Sequence, residues 1–164
     1  MIFGLSIGVF TTIHTLISIA AIVVGVAVLA EMLVDRLSGV LTAIYLALSI
    51  LTDVTGFMFY KGSFGPPYVV GAISLLILLL ACLALYGRKL AGAWRPTYVI
   101  GAVIGLYLNV FVAVVQAFGK LPALHRLAPK GSEPPFAIAQ GLTLLIFVVL
   151  GWLAVRRFRT ASPT

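Results

Sequence analysis

Five long apolar runs dominate this chain, at about 5–30, 37–60, 67–87, 97–118 and 136–155. Asp53 is the single formally charged residue inside them. Each run is long enough to cross a hydrocarbon layer of about 30 Å as a helix. In lipid a backbone must satisfy its own hydrogen bonds, which leaves only helices and closed barrels. A barrel strand alternates apolar and polar residues over about 10 residues. Leu75-Leu76-Ile77-Leu78-Leu79-Leu80 shows no such alternation. The expected fold is all-α: one transmembrane domain over 1–164, a bundle of five spanning helices with a basic tail over 156–164.

Composition supports that reading. The chain is 62% hydrophobic and 9% charged, against about 25% charged in a soluble domain. Disorder needs the opposite balance. One cysteine, Cys82, excludes a disulfide scaffold. Eleven basic residues against four acidic ones would suit nucleic acid if they shared a soluble face. They lie between apolar runs instead, so the expected partner is the lipid bilayer and not nucleic acid.

Punctuation agrees with five spans. Gly65-Pro66-Pro67, Arg95-Pro96 and Ser132-Glu133-Pro134-Pro135 open the third, fourth and fifth, with Ser132 or Glu133 placed as a cap. No span is expected to carry a proline kink. The first run has no basic leader and exceeds a signal-peptide core, so it is expected to be retained. Glu31-Met32-Leu33-Val34-Asp35-Arg36 reads as a short loop among headgroups. In the 119–135 loop, Leu121, Leu124, Leu127 and Ala128 alternate with Lys120, His125 and Arg126, which suits a helical turn or two on the membrane surface.

Orientation follows from the basic residues. One side carries Arg36, Arg88, Lys89, Arg95, Arg156, Arg157 and Arg159; the other carries Lys61, Lys120, Arg126 and Lys130. The positive-inside rule then places the N-terminus outside and the C-terminus in the cytoplasm. Tyr60, Tyr68, Tyr86, Trp94, Tyr98 and Trp152 fall near the expected interfaces as an aromatic belt.

The polar residues inside the runs are the main functional signal. Thr11, His14, Thr15 and Ser18 share one helical face. Thr42, Tyr45, Ser49, Thr52, Asp53, Gly56 and Tyr60 form a stripe on the second run. Gly105, Asn109 and Gln116 line one face of the fourth, continued by Lys120, and Gln140 and Thr143 lie on the fifth. The third run offers only Gly71, Ser74 and Cys82 and reads as a packing or lipid-facing helix. His14 lies about 9 residues, roughly 14 Å, from the outer end of its span. Asp53, Asn109, Gln116 and Gln140 also fall in the outer halves of theirs. Helix polarity alone gives this convergence, so it survives inversion of the whole chain.

A charge at bilayer depth costs several kcal/mol unless it faces inward and finds a partner. Asp53 is therefore expected to point into the bundle, protonated or paired, with His14, Lys61 or Lys120 as candidate partners. The plainer readings stand beside this one. Membrane Thr and Ser mostly bond their own helix or a neighbour. Asn109 and Gln116 suit structural bonds between helices, His125 suits a solvated loop, and Glu133 suits a helix-start anion. Gly4-x-x-x-Gly8 and Gly101-x-x-x-Gly105 match the small-residue packing motif and point to close helix contacts, and more weakly to a homodimer.

Several chemistries lack their residues. No phosphate or dinucleotide loop occurs. Two histidines are too few for a di-iron histidine box, and no ligand spacing supports a metal site. No cofactor is indicated.

The stretch Leu108-Asn109-Val110-Phe111-Val112-Ala113-Val114-Val115-Gln116 leads into Lys120-Leu121-Pro122-Ala123-Leu124-His125. Ala128-Pro129, Ser132-Glu133-Pro134-Pro135-Phe136 and Gln140 follow. Over about 90–159 this resembles a group of small bacterial inner-membrane proteins with no assigned activity. The resemblance implies a bacterial cytoplasmic membrane and brings no catalytic residue. The five-span plan is similar in architecture alone to the tryptophan-rich sensory (translocator) proteins, whose Trp-rich motifs are missing here.

Four functional readings follow. The first is binding of a small molecule or lipid in a polar pocket in the outer half, anchored by Asp53 and His14 and oriented by Asn109, Gln116 and Gln140. Thr11, Thr52, Lys120, His125 and Glu133 would form its rim. The others are an accessory subunit of a larger membrane complex, a proton-coupled transporter, and a membrane enzyme acting on a lipid through Asp53 and His14.

Overall fold

The computed structural model describes residues 4–59 and 65–159. Helix α1 spans Ile7–Leu33, capped by Ser6, whose Oγ accepts from the Val9 N–H at 3.3 Å. Helix α2 spans Gly39–Phe57, capped in the same way by Ser38. Helix α3 spans Pro66–Cys82, with prolines in the first turn, where no helical N–H is needed. It closes in a π turn at Leu83–Gly87. Helix α4 spans Trp94–Lys120, α5 is the six-residue Pro122–Leu127, and α6 spans Pro134–Arg157. α1, α2, α3 with its π turn, α4 and α6 are each long and apolar enough to cross a membrane. The fold is an all-α bundle of five such helices.

Two ends can be distinguished. The C-terminal face holds the α1–α2 and α3–α4 connections and the end of α6; the N-terminal face holds the start of α1, the end of α2, the start of α3 and α5. Tyr60 and Lys61 lie outside the described residues.

The charged hexapeptide differs from its expected form. α1 continues through Leu33, and Met32 is buried. Glu31 stays helical and its Oε2 accepts from the Ser38 N–H at 2.9 Å, so the acid braces the start of α2. The chain reverses at Asp35, with φ of 57°. Asp35 Oδ1 then accepts from the Arg159 N–H at 2.6 Å, tying this turn to the chain's other end. The adjacent Phe158 is buried against Tyr98, ring centroids 6.3 Å apart. Tyr98 is therefore a core residue and not part of an interfacial belt, whereas Tyr86 and Trp152 are exposed.

α4 is the hub and packs against α1, α2, α3 and α6. Its small residues make this possible. A methyl on Gly101 would meet the Ala81 Cβ at 3.1 Å, and one on Gly105 would meet Leu78 Cδ2 at 2.7 Å. This glycine pair thus serves α3–α4 packing inside the chain. Gly4 and Gly8 have nothing within 4 Å of the same position. α3 is a packing helix held between α2 and α4. The largest fully buried side chains include Met32, Leu37, Tyr45, Leu90, Tyr98 and Phe158, which gather toward the C-terminal face.

Candidate functional site in the polar seam of helix α2

Helix α2 distributes its polar residues over three neighbours because successive residues rotate about 100° around the axis. Toward α4, the Tyr45 hydroxyl donates to the Ala102 carbonyl at 2.7 Å, and Asn109 Nδ2 donates to Ser49 Oγ at 3.2 Å. The Thr42 and Tyr98 hydroxyls face each other deeper in the same interface. Toward α3, Asp53 faces Ser74, which is 2% exposed. Toward α1, Thr55 meets His14, with Oγ1 and Nδ1 at 2.7 Å.

The Thr55 contact ties the histidine to α2. The Thr55 hydroxyl also lies 2.7 Å from the Leu51 carbonyl and 3.2 Å from the Thr52 carbonyl. His14 Nε2 has no hydrogen-bond partner among the described residues. Phe59 packs edge-on to the half-buried imidazole at 5.3 Å, and Phe10 lies 5.1 Å from Phe59. Lys120 is near enough for its charge to act on the ring.

Asp53 is the second unusual group. Its Oδ2 is buried with no hydrogen-bond partner, as is the neighbouring Thr52 Oγ1. Phe57, one turn on, stacks with Tyr68 at 6.3 Å and roofs this side of the seam. No hydrogen bond or ion pair joins Asp53 to His14 among the described residues: the carboxyl turns from α2 to α3, and the imidazole reaches from α1 to Thr55 on the other side of α2. The two ionisable residues share a depth and not a contact.

The other expected site residues separate into groups. Asn109 is buried and bonds Ser49, a bridge between helices. Gln140 Nε2 donates to the Phe111 carbonyl at 3.1 Å, while its Oε1 is buried without a partner. Gln116 and Lys120 are exposed, and so is His125 on α5. Thr11, Thr15 and Ser18 donate to the carbonyls four residues back, so His14 alone crosses from that stripe to α2. Glu133 folds back on its own turn, accepting from the N–H groups of Lys130 at 2.9 Å and Ser132 at 3.0 Å. The Lys130 and Ser132 N–H groups hold its carboxyl below the usual glutamate range. Its role is to shape the turn before α6.

Sequence reasoning passed over Thr55. Its signal was present, because it continues the Ser49, Thr52 series at i+3. Ser74 was legible as a polar residue, but its place opposite Asp53 depends on how α2 and α3 pack.

A hollow of about 180 Å³ lies between α4 and α6, lined by apolar residues and Tyr107. Among the described residues, no group of three or more His, Cys, Asp or Glu is placed to hold a metal ion. No family model, curated protein or solved structure matches the chain.

Proposed function

We propose that this is a multi-pass protein of a bacterial cytoplasmic membrane that binds a small molecule or lipid headgroup in the outer half of the bundle, with Asp53 as the anchor. In this reading the N-terminal face is outside, and the seven basic residues of the C-terminal face lie in the cytoplasm. The observation that carries the reading is the buried, unpartnered Asp53 Oδ2. An unsatisfied carboxyl oxygen at membrane depth is costly, and natural structures retain such groups where function requires them. The matching ligand carries a hydrogen-bond donor for Oδ2 and apolar surface for Phe57 and Tyr68. Thr52 Oγ1 is a second buried group without a partner beside it.

The test is native mass spectrometry of the protein released from its own membranes in mild detergent, wild type beside Asp53→Asn. A retained mass that disappears in the variant supports the site. Bare protein in both samples overturns it.

Proton-coupled movement is the second reading, favoured by one specific feature. The α2 seam runs from His14 Nε2 and Thr55, past Asp53 and Thr52, to the buried Thr42 and Tyr98 hydroxyls. It thus presents protonatable and hydroxyl groups along most of one helix. Proteoliposomes under a pH gradient, wild type against Asp53→Asn and His14→Phe, distinguish this from passive binding.

A further inference from the structure

The groove between α4 and α6 lies apart from the α2 seam. It has a volume of about 180 Å³ and is walled by Ile100, Ile104 and Tyr107 from α4 and Leu144, Val148 and Gly151 from α6. Gly151 lets α4 and α6 approach closely at one end of it: a methyl there would meet Val103 Cγ1 at 3.2 Å. The groove faces outward, since Leu144 is 48% and Val148 58% exposed. Its small volume and apolar walls suit part of a single hydrocarbon chain.

The α6 wall leads directly to a cation. Leu144, Val148, Trp152 and Arg156 recur every fourth residue and so form one stripe. Trp152 is 53% exposed, and the Arg156 guanidinium lies 4.0 Å from its ring centroid. That stacking holds the arginine's plane and leaves its N–H edges directed away from the ring. Arg156 stands five residues beyond Gly151, about 7.5 Å along the helix, an offset that a glycerol ester can bridge. Nearby acids are engaged elsewhere: Glu31 accepts from Ser38 and Asp35 from Arg159. The same end carries Arg88, stacked on Trp94 at 5.2 Å, and Arg95, whose Nε is buried without a partner.

We propose that this groove binds one anionic phospholipid, its acyl chain between α4 and α6 and its phosphate on Arg156. Charge complementarity selects the lipid. The arginine prefers an anionic headgroup to a zwitterionic one, while the apolar wall accepts the chain of either. Arg156 acts as the specificity determinant and Val148 as part of the chain-binding wall.

The test is native mass spectrometry of the full chain in detergent with equal amounts of palmitoyl-oleoyl phosphatidylglycerol and phosphatidylcholine. The wild type should retain phosphatidylglycerol in preference, by roughly fivefold for one interfacial arginine. Arg156→Gln should abolish the preference while bound lipid of both kinds persists. Val148→Trp, at an exposed position that fills the groove, should reduce both lipids. Circular dichroism and a monodisperse elution profile check that each variant is folded. Equal retention of the two lipids by the wild type overturns the proposal. So does a preference that survives Arg156→Gln, or lipid retention unaffected by Val148→Trp.

Discussion

The helical glycines show how differently the two ends of the bundle are packed. Toward the C-terminal face a methyl on Gly25 would lie 2.7 Å from both Leu106 Cδ1 and Tyr45 Cε2, and one on Gly105 would lie 2.7 Å from Leu78. Toward the N-terminal face Gly8, Gly119 and Gly141 have nothing within 4 Å, and the Gly56 position is 3.8 Å from His14. Polar groups do not follow this division. At the C-terminal face Glu31 and Asp35 hold backbone N–H groups, and Tyr45 holds a carbonyl. Buried side-chain atoms without partners occur in both halves: Asp53 Oδ2, Thr52 Oγ1 and Gln140 Oε1 toward the N-terminal face, and Thr42 Oγ1, the Tyr98 hydroxyl and Arg95 Nε toward the C-terminal face. The contrast teaches that one half of the bundle is built as a closed foundation. The other half keeps more room around its helical glycines.

Truncating the foundation tests the contrast most severely. Phe158→Ala removes a buried ring from the Tyr98 contact and should cost about 3 kcal/mol, read as a lowered unfolding midpoint in detergent. Gly25→Ala should follow at about 2 kcal/mol, because the Tyr45 ring it strikes is held by its bond to Ala102. Gly8→Ala is the matched control: at an open helical site it should be neutral or slightly stabilising. Equal losses from Gly25→Ala and Gly8→Ala would remove the distinction between the two ends.

Smaller effects sharpen the polar side. Tyr45→Phe gives up a buried hydrogen bond and should cost about 1 kcal/mol. His14→Phe breaks the Thr55 contact and should cost about 0.6 kcal/mol, the usual value for a side-chain bond between membrane helices. Asp53→Asn should leave the unfolding midpoint unchanged or raised, since the carboxyl has a buried oxygen without a partner to lose. A large drop would show that Asp53 is structural and would weaken the binding reading.

The smallest effect is a pH response outside the spans. Glu133 has a folded pKa below its ordinary value because its carboxylate accepts the Lys130 and Ser132 N–H groups. Its contribution is therefore present above the unfolded value of about 4.3 and is lost as pH falls through the lower folded value. Hydrogen exchange should show protection of the Lys130 and Ser132 amides declining in that acid range, with the α6 amides unaffected.

Particular residues show how far the sequence could be read. The five spans were legible because apolar length and proline placement are local properties, and the bilayer demands helices of that length. Glu31 was misread as loop because three charges in six residues resemble a headgroup segment, whereas its carboxylate is spent on the Ser38 N–H across the turn. Tyr98 was misread as interfacial because its sequence position near a span end does not reveal that Phe158 covers it. Gln116 has the right register on α4 to join Asn109, yet it is exposed near the end of the helix, where α4 has fewer neighbours.

By itself, the sequence determined that the chain is an all-α bundle of five membrane-length helices, and it gave the expectation that His14, Asp53, Asn109, Gln116 and Gln140 lie in the outer halves of their spans. Both conclusions follow from composition, periodicity and the fixed rise of a helix. Only the tertiary structure decided which neighbour each polar group meets. α2 presents Asp53 to α3, Thr55 to α1 and Ser49 to α4, so two ionisable residues of equal depth do not touch. Depth is set by position along a helix, but partnership is set by azimuth and by which helices pack together. Those depend on the fit of Gly25, Gly101 and Gly105 against side chains distant in sequence.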